Sequence, residues 1–200
     1  FEDELRERAA FKRYFTRKDK NSRKAVETGP FYSMFDVGAY TFAKYRVVWQ
    51  RIASSLDGTV LPVEKKPWLP QETHSLVVMD SSAEAHYFTA VFNSSPLNLG
   101  AQAYAQRGGK SFASPHILQN ICVDRFNPRK TLHRQLAELS EKAHKLADGE
   151  EWQELAEVEE KIDLLVAKLY GITNEELAEI KKNLREISKE DLKTGKLFGK

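Results

Sequence analysis

Histidines His74, His86, His116, His133 and His144 and the single cysteine, Cys122, are the residues with the widest chemical repertoire here. None of the five forms an HExxH pair, and no second cysteine completes a metal-ligand spacing, so no metal is expected. Glu72-Thr73-His74 brings a carboxylate near an imidazole, as acid–base chemistry requires, but no nucleophile accompanies the triplet. A hydrogen-bonded structural histidine is the plainer reading, and His133 and His144 read as surface or packing residues on helices. Asn93-Ser94-Ser95-Pro96 distantly echoes the Asn-Pro-Pro-aromatic motif that holds an exocyclic amine for methyl transfer, yet it stands where a helix should end and reads as a turn. Gly108-Gly109-Lys110-Ser111 lacks the leading glycine of a Walker loop. It either offers backbone N–H groups to a phosphate or is a plain flexible loop. Cys122 lies in an apolar run and reads as a small core residue.

The charge distribution points elsewhere. Net charge is only +2, but residues 1–130 hold 19 Lys/Arg against 13 Asp/Glu, whereas residues 131–200 hold 12 against 16. Residues 6–24 alone carry nine basic and two acidic side chains. A basic front and an acidic back suit a front that meets a polyanion, although a solvated helix and loop give the same count. No run of about 20 apolar residues is present, and no secretory leader opens the chain. With one cysteine, a reducing, cytoplasmic setting is expected. A start at Phe1 fits a piece of a longer protein, and tag removal or processing equally.

Three segments must position these groups. Residues 1–15 carry Leu5, Ala9, Tyr14 and Phe15 near helical spacing, and 17–29 lack apolar periodicity, so 1–29 reads as a basic helix and mobile linker. Residues 30–130 read as α+β. Strand-like runs occupy 32–35, 40–42, 45–49, 60–63, 75–79 and 117–123, and helices occupy 82–92 and 97–104. Residues 106–114 read as a polar loop. In 45–49, alternation separates Tyr45, Val47 and Trp49 from Arg46 and Val48. From 131 the chain turns helical. Leu132, Leu136, Leu139, Ala143 and Leu146 make one seam, and Leu155, Val158, Ile162, Leu165 and Leu169 a second. Asp148-Gly149 breaks them into an antiparallel hairpin. Gly171 ends the second helix, and Thr173-x-x-Glu176 caps a third, which should fray from 188 onward. The expected fold is thus α+β: a mixed or antiparallel sheet domain with an N-terminal helix, then a helical hairpin and a third helix, divided as 1–29, 30–130 and 131–200.

Several segments, in order, resemble one family. They are Gly29-Pro30-Phe31-Tyr32-Ser33-Met34-Phe35 with Tyr40-Thr41-Phe42 and Tyr45-Arg46-Val47-Val48-Trp49; Glu72-Thr73-His74; Phe92-Asn93-Ser94; Phe126-Asn127-Pro128; and Leu169-Tyr170-Gly171-Ile172-Thr173. Together they are similar to the C-terminal target-recognition region of adenine-specific DNA methyltransferases, as in type IIG restriction-modification enzymes and TaqI-like methyltransferases. The helical tail resembles the spacer helices of type I specificity subunits. The resemblance implies sequence-specific duplex recognition, with S-adenosylmethionine and the flipped adenine held by a catalytic domain outside this chain. No cofactor and no catalytic residue are expected in the chain itself, and the expected partners are double-stranded DNA and that catalytic domain.

In this reading Arg13, Arg17, Lys18, Arg23 and Lys24 hold phosphates. Lys44 and Arg46, with Gln102, Gln106, Arg107, Lys110 and Ser111, approach base edges, arginine pairing with guanine and glutamine with adenine. Aromatics at 31–49 offer stacking, though most are expected in the core. Two rivals stay open: a protein-interaction module built on the helical seams, and an enzyme using His74.

Overall fold

The computed structural model describes residues 1–34, 36–70, 73–104, 113 and 118–194, with side chains through 189. Among these the chain is α+β, and it forms two compact units, Phe1–Phe42 and Ala43–Lys200. The expected division at 29 and 130 is therefore replaced by one at 42.

In the first unit the expected single helix is two, α1 (Glu2–Glu7) and α2 (Ala9–Tyr14), broken at Arg8, whose backbone is extended at φ −55°, ψ 134°. The Arg8 guanidinium explains the break. Its Nε donates to the Leu5 carbonyl at 2.8 Å, and its Nη2 to the carbonyls of Phe31 and Ser33 at 2.8 and 3.1 Å. Phe11 anchors α2, fully buried and stacked on Phe15. Residues 17–29 are not a linker. Strands β1 (Thr16–Lys18) and β2 (Ala25–Glu27) pair antiparallel, Arg17 opposite Val26. A polar ribbon of this kind shows no apolar period because backbone bonds hold it and neither face is buried. The runs at 32–34 and 40–42 are likewise not strands; Ala39–Phe42 is a 3₁₀ turn.

In the second unit β3 (Tyr45–Gln50) is the central strand of three, antiparallel to β4 (Gly58–Val60) and β5 (His74–Met79). Helix α3 (Ser82–Asn93) starts on Ser81, whose hydroxyl accepts the Glu84 N–H at 3.1 Å. Helix α4 (Ser95–Tyr104) follows at once. The Asn93-Ser94-Ser95-Pro96 segment is their joint, and its chemistry is structural. Asn93 exchanges two hydrogen bonds with the Gly58 backbone, and Asn98 accepts from the Leu56 N–H at 2.6 Å and donates to the Leu56 carbonyl.

Three helices complete the unit: α5 (Thr131–Asp148), α6 (Trp152–Tyr170) and α7 (Asn174–Thr194). Helix α7 continues through Thr194, beyond the fraying point expected at 188. Helices α5 and α6 share one core with the sheet: Leu136, Ala137, Val158, Ile162 and Val166 pack with Trp49, Leu56, Tyr87 and Phe92. Heptad-like seams had suggested a separate helical region. Their residues instead join that one core: Leu136, Leu146, Val158 and Ile162 are buried in it, and Leu132, Leu139, Ala143, Leu155, Leu165 and Leu169 pack against it.

The run at 118–123 forms no strand among the described residues. Ile121 N–H closes a turn on Leu118, and Cys122 is exposed, not core, its carbonyl accepting the Tyr170 hydroxyl at 2.9 Å. Leu118, Ile121 and Val123 pack on the helical core instead of pairing in a ladder.

The expected stop signals are in place. Gly171 is left-handed (φ 70°), and Thr173 and Glu176 cap each other's backbone N–H at 2.8 and 3.2 Å. Nothing lies within 4 Å of where a Gly171 Cβ stands, so Gly171→Ala should cost only the backbone penalty. We expect about 1 kcal/mol, read as a lowered denaturation midpoint with an unchanged slope.

Candidate nucleic-acid interface

The first unit presents its cations on the β1–β2 ribbon. Arg13, Arg17, Lys18, Lys20, Arg23 and Lys24 are all exposed. The strands are three residues each, and alternation sends Arg17 to one face and Lys18 to the other. The tip is locally built. The Asp19 carboxylate accepts the N–H groups of Asn21 and Ser22 and the Ser22 hydroxyl at 2.7–3.0 Å. Hydrogen bonds from Ser22, then Asn21, hold its carboxyl below the usual aspartate range. Arg23 takes the left-handed conformation (φ 55°) that lets Lys24 return to pair with Asp19, whose N–H donates to the Lys24 carbonyl at 2.9 Å. The one acidic group of the tip is thereby tied into the turn. Among the described residues Arg17, Lys18, Lys20, Arg23 and Lys24 make no ion pair. Arg6 and Lys12, by contrast, are engaged by Glu2, Glu27 and Glu7. Lys20 was missed in the sequence, where only its place beside Asp19 distinguishes it. Arg13 lies over the Tyr14 ring, 5.2 Å from its centroid.

The aromatics of this unit are more open than expected: Tyr32 is 65% exposed and Phe42 58%. Among the described aromatics at 31–49, Trp49, in the second unit, is the one that meets the core expectation fully; its ring nitrogen donates to the Ala113 carbonyl at 3.0 Å.

The second-unit candidates divide. Lys44 is exposed, its ammonium 5.0 Å from the Tyr45 ring centroid. Arg46 is 3% exposed, so its expected approach to base edges is corrected. Its Nη1 donates to the Trp68 carbonyl at 2.8 Å, which lays the proline-bearing segment over that face of β3. Both faces of β3 are therefore covered, and alternation alone could not show it. The Gln102 amide nitrogen donates to the Ser54 carbonyl at 2.9 Å. Gln106, Arg107, Lys110 and Ser111 lie outside the described residues, as does Glu72 of the Glu72-Thr73-His74 triplet. His74 Nδ1 is 3.0 Å from the Thr73 hydroxyl.

His116 lies outside the described residues, and the three remaining histidines build structure. His133 is wholly buried, stacked on Tyr87 at 4.4 Å, with Nδ1 accepting the Asn127 N–H. Burial, and then Lys130, push its pKa down. His144 accepts the Val60 N–H through Nε2 at 3.0 Å and donates from Nδ1 to the Ser140 carbonyl at 2.7 Å, so it ties β4 to α5. Its ring stands edge-on to His86, whose Nδ1 is 3.3 Å from the Ser140 hydroxyl. The pair joins residues 58 positions apart and had no signal in the sequence. Burial, followed by His144, lowers the His86 pKa to about 4, with Lys145 adding to the effect and Glu141 opposing it. An unfolded histidine titrates near 6.5, so between those values the unfolded chain binds the extra proton. Stability contributed by neutral His86 is complete above about pH 6.5 and is lost as pH falls toward 4, by about 3 kcal/mol in all. Denaturation midpoints from pH 7 to 4 should fall accordingly, and His86→Gln should flatten that dependence.

Among the described residues no group of three or more His, Cys, Asp or Glu side chains could hold a metal ion, and no helix is long and apolar enough to cross a membrane. Comparison with protein-family models, with curated proteins and with solved structures finds no match.

Proposed function

We propose that this chain is a duplex-DNA recognition module of a restriction-modification adenine methyltransferase. The observation that carries the reading is the β1–β2 ribbon with five exposed cations that make no ion pair among the described residues. A two-stranded ribbon fits a major groove about 12 Å wide, and cations on both faces and at the tip reach the phosphates on either side. Tyr32 and Phe42, exposed on the same unit, supply faces for base contact. The family resemblance of the ordered motifs agrees. It assigns methyl transfer and S-adenosylmethionine to a separate catalytic domain, so no residue of this chain is given a role in that chemistry. Titrating a labelled duplex at two salt concentrations tests the proposal. Binding that weakens steeply with salt supports it, and binding indifferent to salt removes the phosphate contacts.

A further inference from the structure

The start of α5 and the chain that leads into it carry cations that the count along the sequence divided. Residues 85–137 hold six Lys/Arg and a single acidic residue, Asp124, and four of the six are Arg125, Arg129, Lys130 and Arg134. A boundary drawn at 130 splits these four between a basic front and an acidic back. The fold gathers them. The Asn127 carbonyl accepts the Lys130 N–H at 3.1 Å and the Asn127 side-chain oxygen accepts the Arg129 N–H at 2.9 Å, which closes a tight turn. Core residues anchor that turn: buried His133 accepts the Asn127 N–H at 3.1 Å, and the Phe126 ring lies 5.5 Å from that of Tyr87. Arg134 reaches back from α5, its Nη1 donating to the Pro128 carbonyl at 2.7 Å and its Nη2 to the Thr131 hydroxyl at 3.2 Å. All four cations are exposed. Among the described residues their one ion pair is Lys130 with Asp124 at 3.7 Å, both about half exposed, and a pair of that kind contributes little. Arg125, Arg129 and Arg134 meet no described carboxylate, and no acidic residue stands in the first turn of α5.

We propose that this turn is a second phosphate-contacting surface for duplex DNA, made of residues other than those of the ribbon. The inference rests on the DNA reading given above. Four cations against Asp124 leave residues 124–134 at +3, which attracts a polyanion. Three of the four are arginines, whose planar fork pairs with a phosphate through two N–H groups. Arg134 is held by neutral acceptors, so it keeps its charge and loses little freedom on meeting a phosphate. The patch also has no apolar centre: Phe126 and Leu132, its large hydrophobic side chains, are half-buried and packed on the core. A protein interface is anchored by exposed side chains of that kind, whereas phosphate contact needs none. Contacts made here position the duplex and read no base, so they hold on any sequence.

Arg125→Ala with Arg129→Ala tests the turn, because neither guanidinium bonds to a described residue and Arg134 stays to hold the backbone. Anisotropy of a labelled duplex from about 50 to about 200 mM salt should give a logarithmic slope about 1.8 shallower than that of the unaltered chain, about 0.9 for each phosphate lost. The unaltered chain then loses about 12-fold more affinity over that range than the variant does. The change should add to that of alanines in the ribbon, since the two sets share no partner. Arg125→Lys with Arg129→Lys keeps the charge and should keep the slope to within about 0.4. Circular dichroism should be the same for all three chains. If the unaltered chain binds with a steep slope and the alanine variant keeps it, this proposal alone falls. A lysine variant as shallow as the alanine one overturns it too, since charge is then not what acts. Poly-L-glutamate that binds the unaltered chain as tightly as the duplex does, and the alanine variant less, assigns the turn to an acidic protein and likewise overturns it. An unaltered chain that binds no duplex at either salt removes the DNA reading, and this inference with it.

Discussion

Raising salt from about 50 to about 200 mM should weaken duplex binding by roughly 500-fold through the ribbon alone. The figure follows from the ribbon. If Arg17, Lys18, Lys20, Arg23 and Lys24 each neutralise one phosphate, the logarithmic salt slope is about −4.5, and a fourfold rise in salt is a loss of that order. Replacing Arg17, Lys18 and Arg23 together with alanine should reduce the slope to about −1.8 and the loss to about 12-fold. All three side chains are exposed, so circular dichroism should show an unchanged fold. The loss should be similar on duplexes of different sequence, because phosphate contacts position the protein and do not read bases. Fluorescence anisotropy on two unrelated duplexes measures both quantities. A triple variant that keeps the full slope moves the contacts off the ribbon.

Asp163→Ala should destabilise the second unit by about 3–5 kcal/mol, an effect of the size seen when one partner of a buried ionic cluster is removed. Asp163 is 8% exposed on α6. One carboxylate oxygen accepts the Ser95 N–H at 2.7 Å, and the other accepts the Ser95 hydroxyl at 2.7 Å and lies 3.1 Å from Lys181 Nζ. Ser95 opens α4, so its N–H is one of the donors a helix start leaves unpaired, and a carboxylate there also meets the positive end of the helix dipole. One side chain on α6 thus holds α4 and α7. Removing it strands the half-buried Ser95 N–H and leaves Lys181, only 16% exposed, with Glu160 as its remaining carboxylate partner. Ser95→Ala keeps the backbone bond and should cost about 1 kcal/mol. The double variant should cost less than the sum, since the two remove a shared contact. Urea denaturation followed by circular dichroism reads all three, and additive losses would mean that Ser95 and Asp163 act apart.

Groups that act within one turn of chain were legible from residue order. Gly171 ending α6 and Thr173 with Glu176 opening α7 each need only partners up to four residues away, and each stands where the sequence put it. The helical periods of α3 to α7 and the β-branched run of β3 were readable for the same reason: burial of one face leaves a repeat in the chain. The α+β class followed from them.

The candidate site was less legible. Its cations could be counted in the sequence, but the ribbon that displays them could not, because β1 and β2 are polar and are held by backbone bonds across a turn. Arg46 shows the opposite failure. Its position in β3 was clear, yet the face it turns to is closed by Trp68, 22 residues on, and no local pattern encodes that cover. Cys122 sits in an apolar run and is nonetheless exposed, since its neighbours Ile121 and Val123 take the packing. The basic ribbon that began as a stretch of charge is thus a matter of two levels. Composition alone supplied the cations at 6–24. Long-range pairing and burial chose which of the candidates face solvent, because exposure belongs to what packs over a residue and not to the residue.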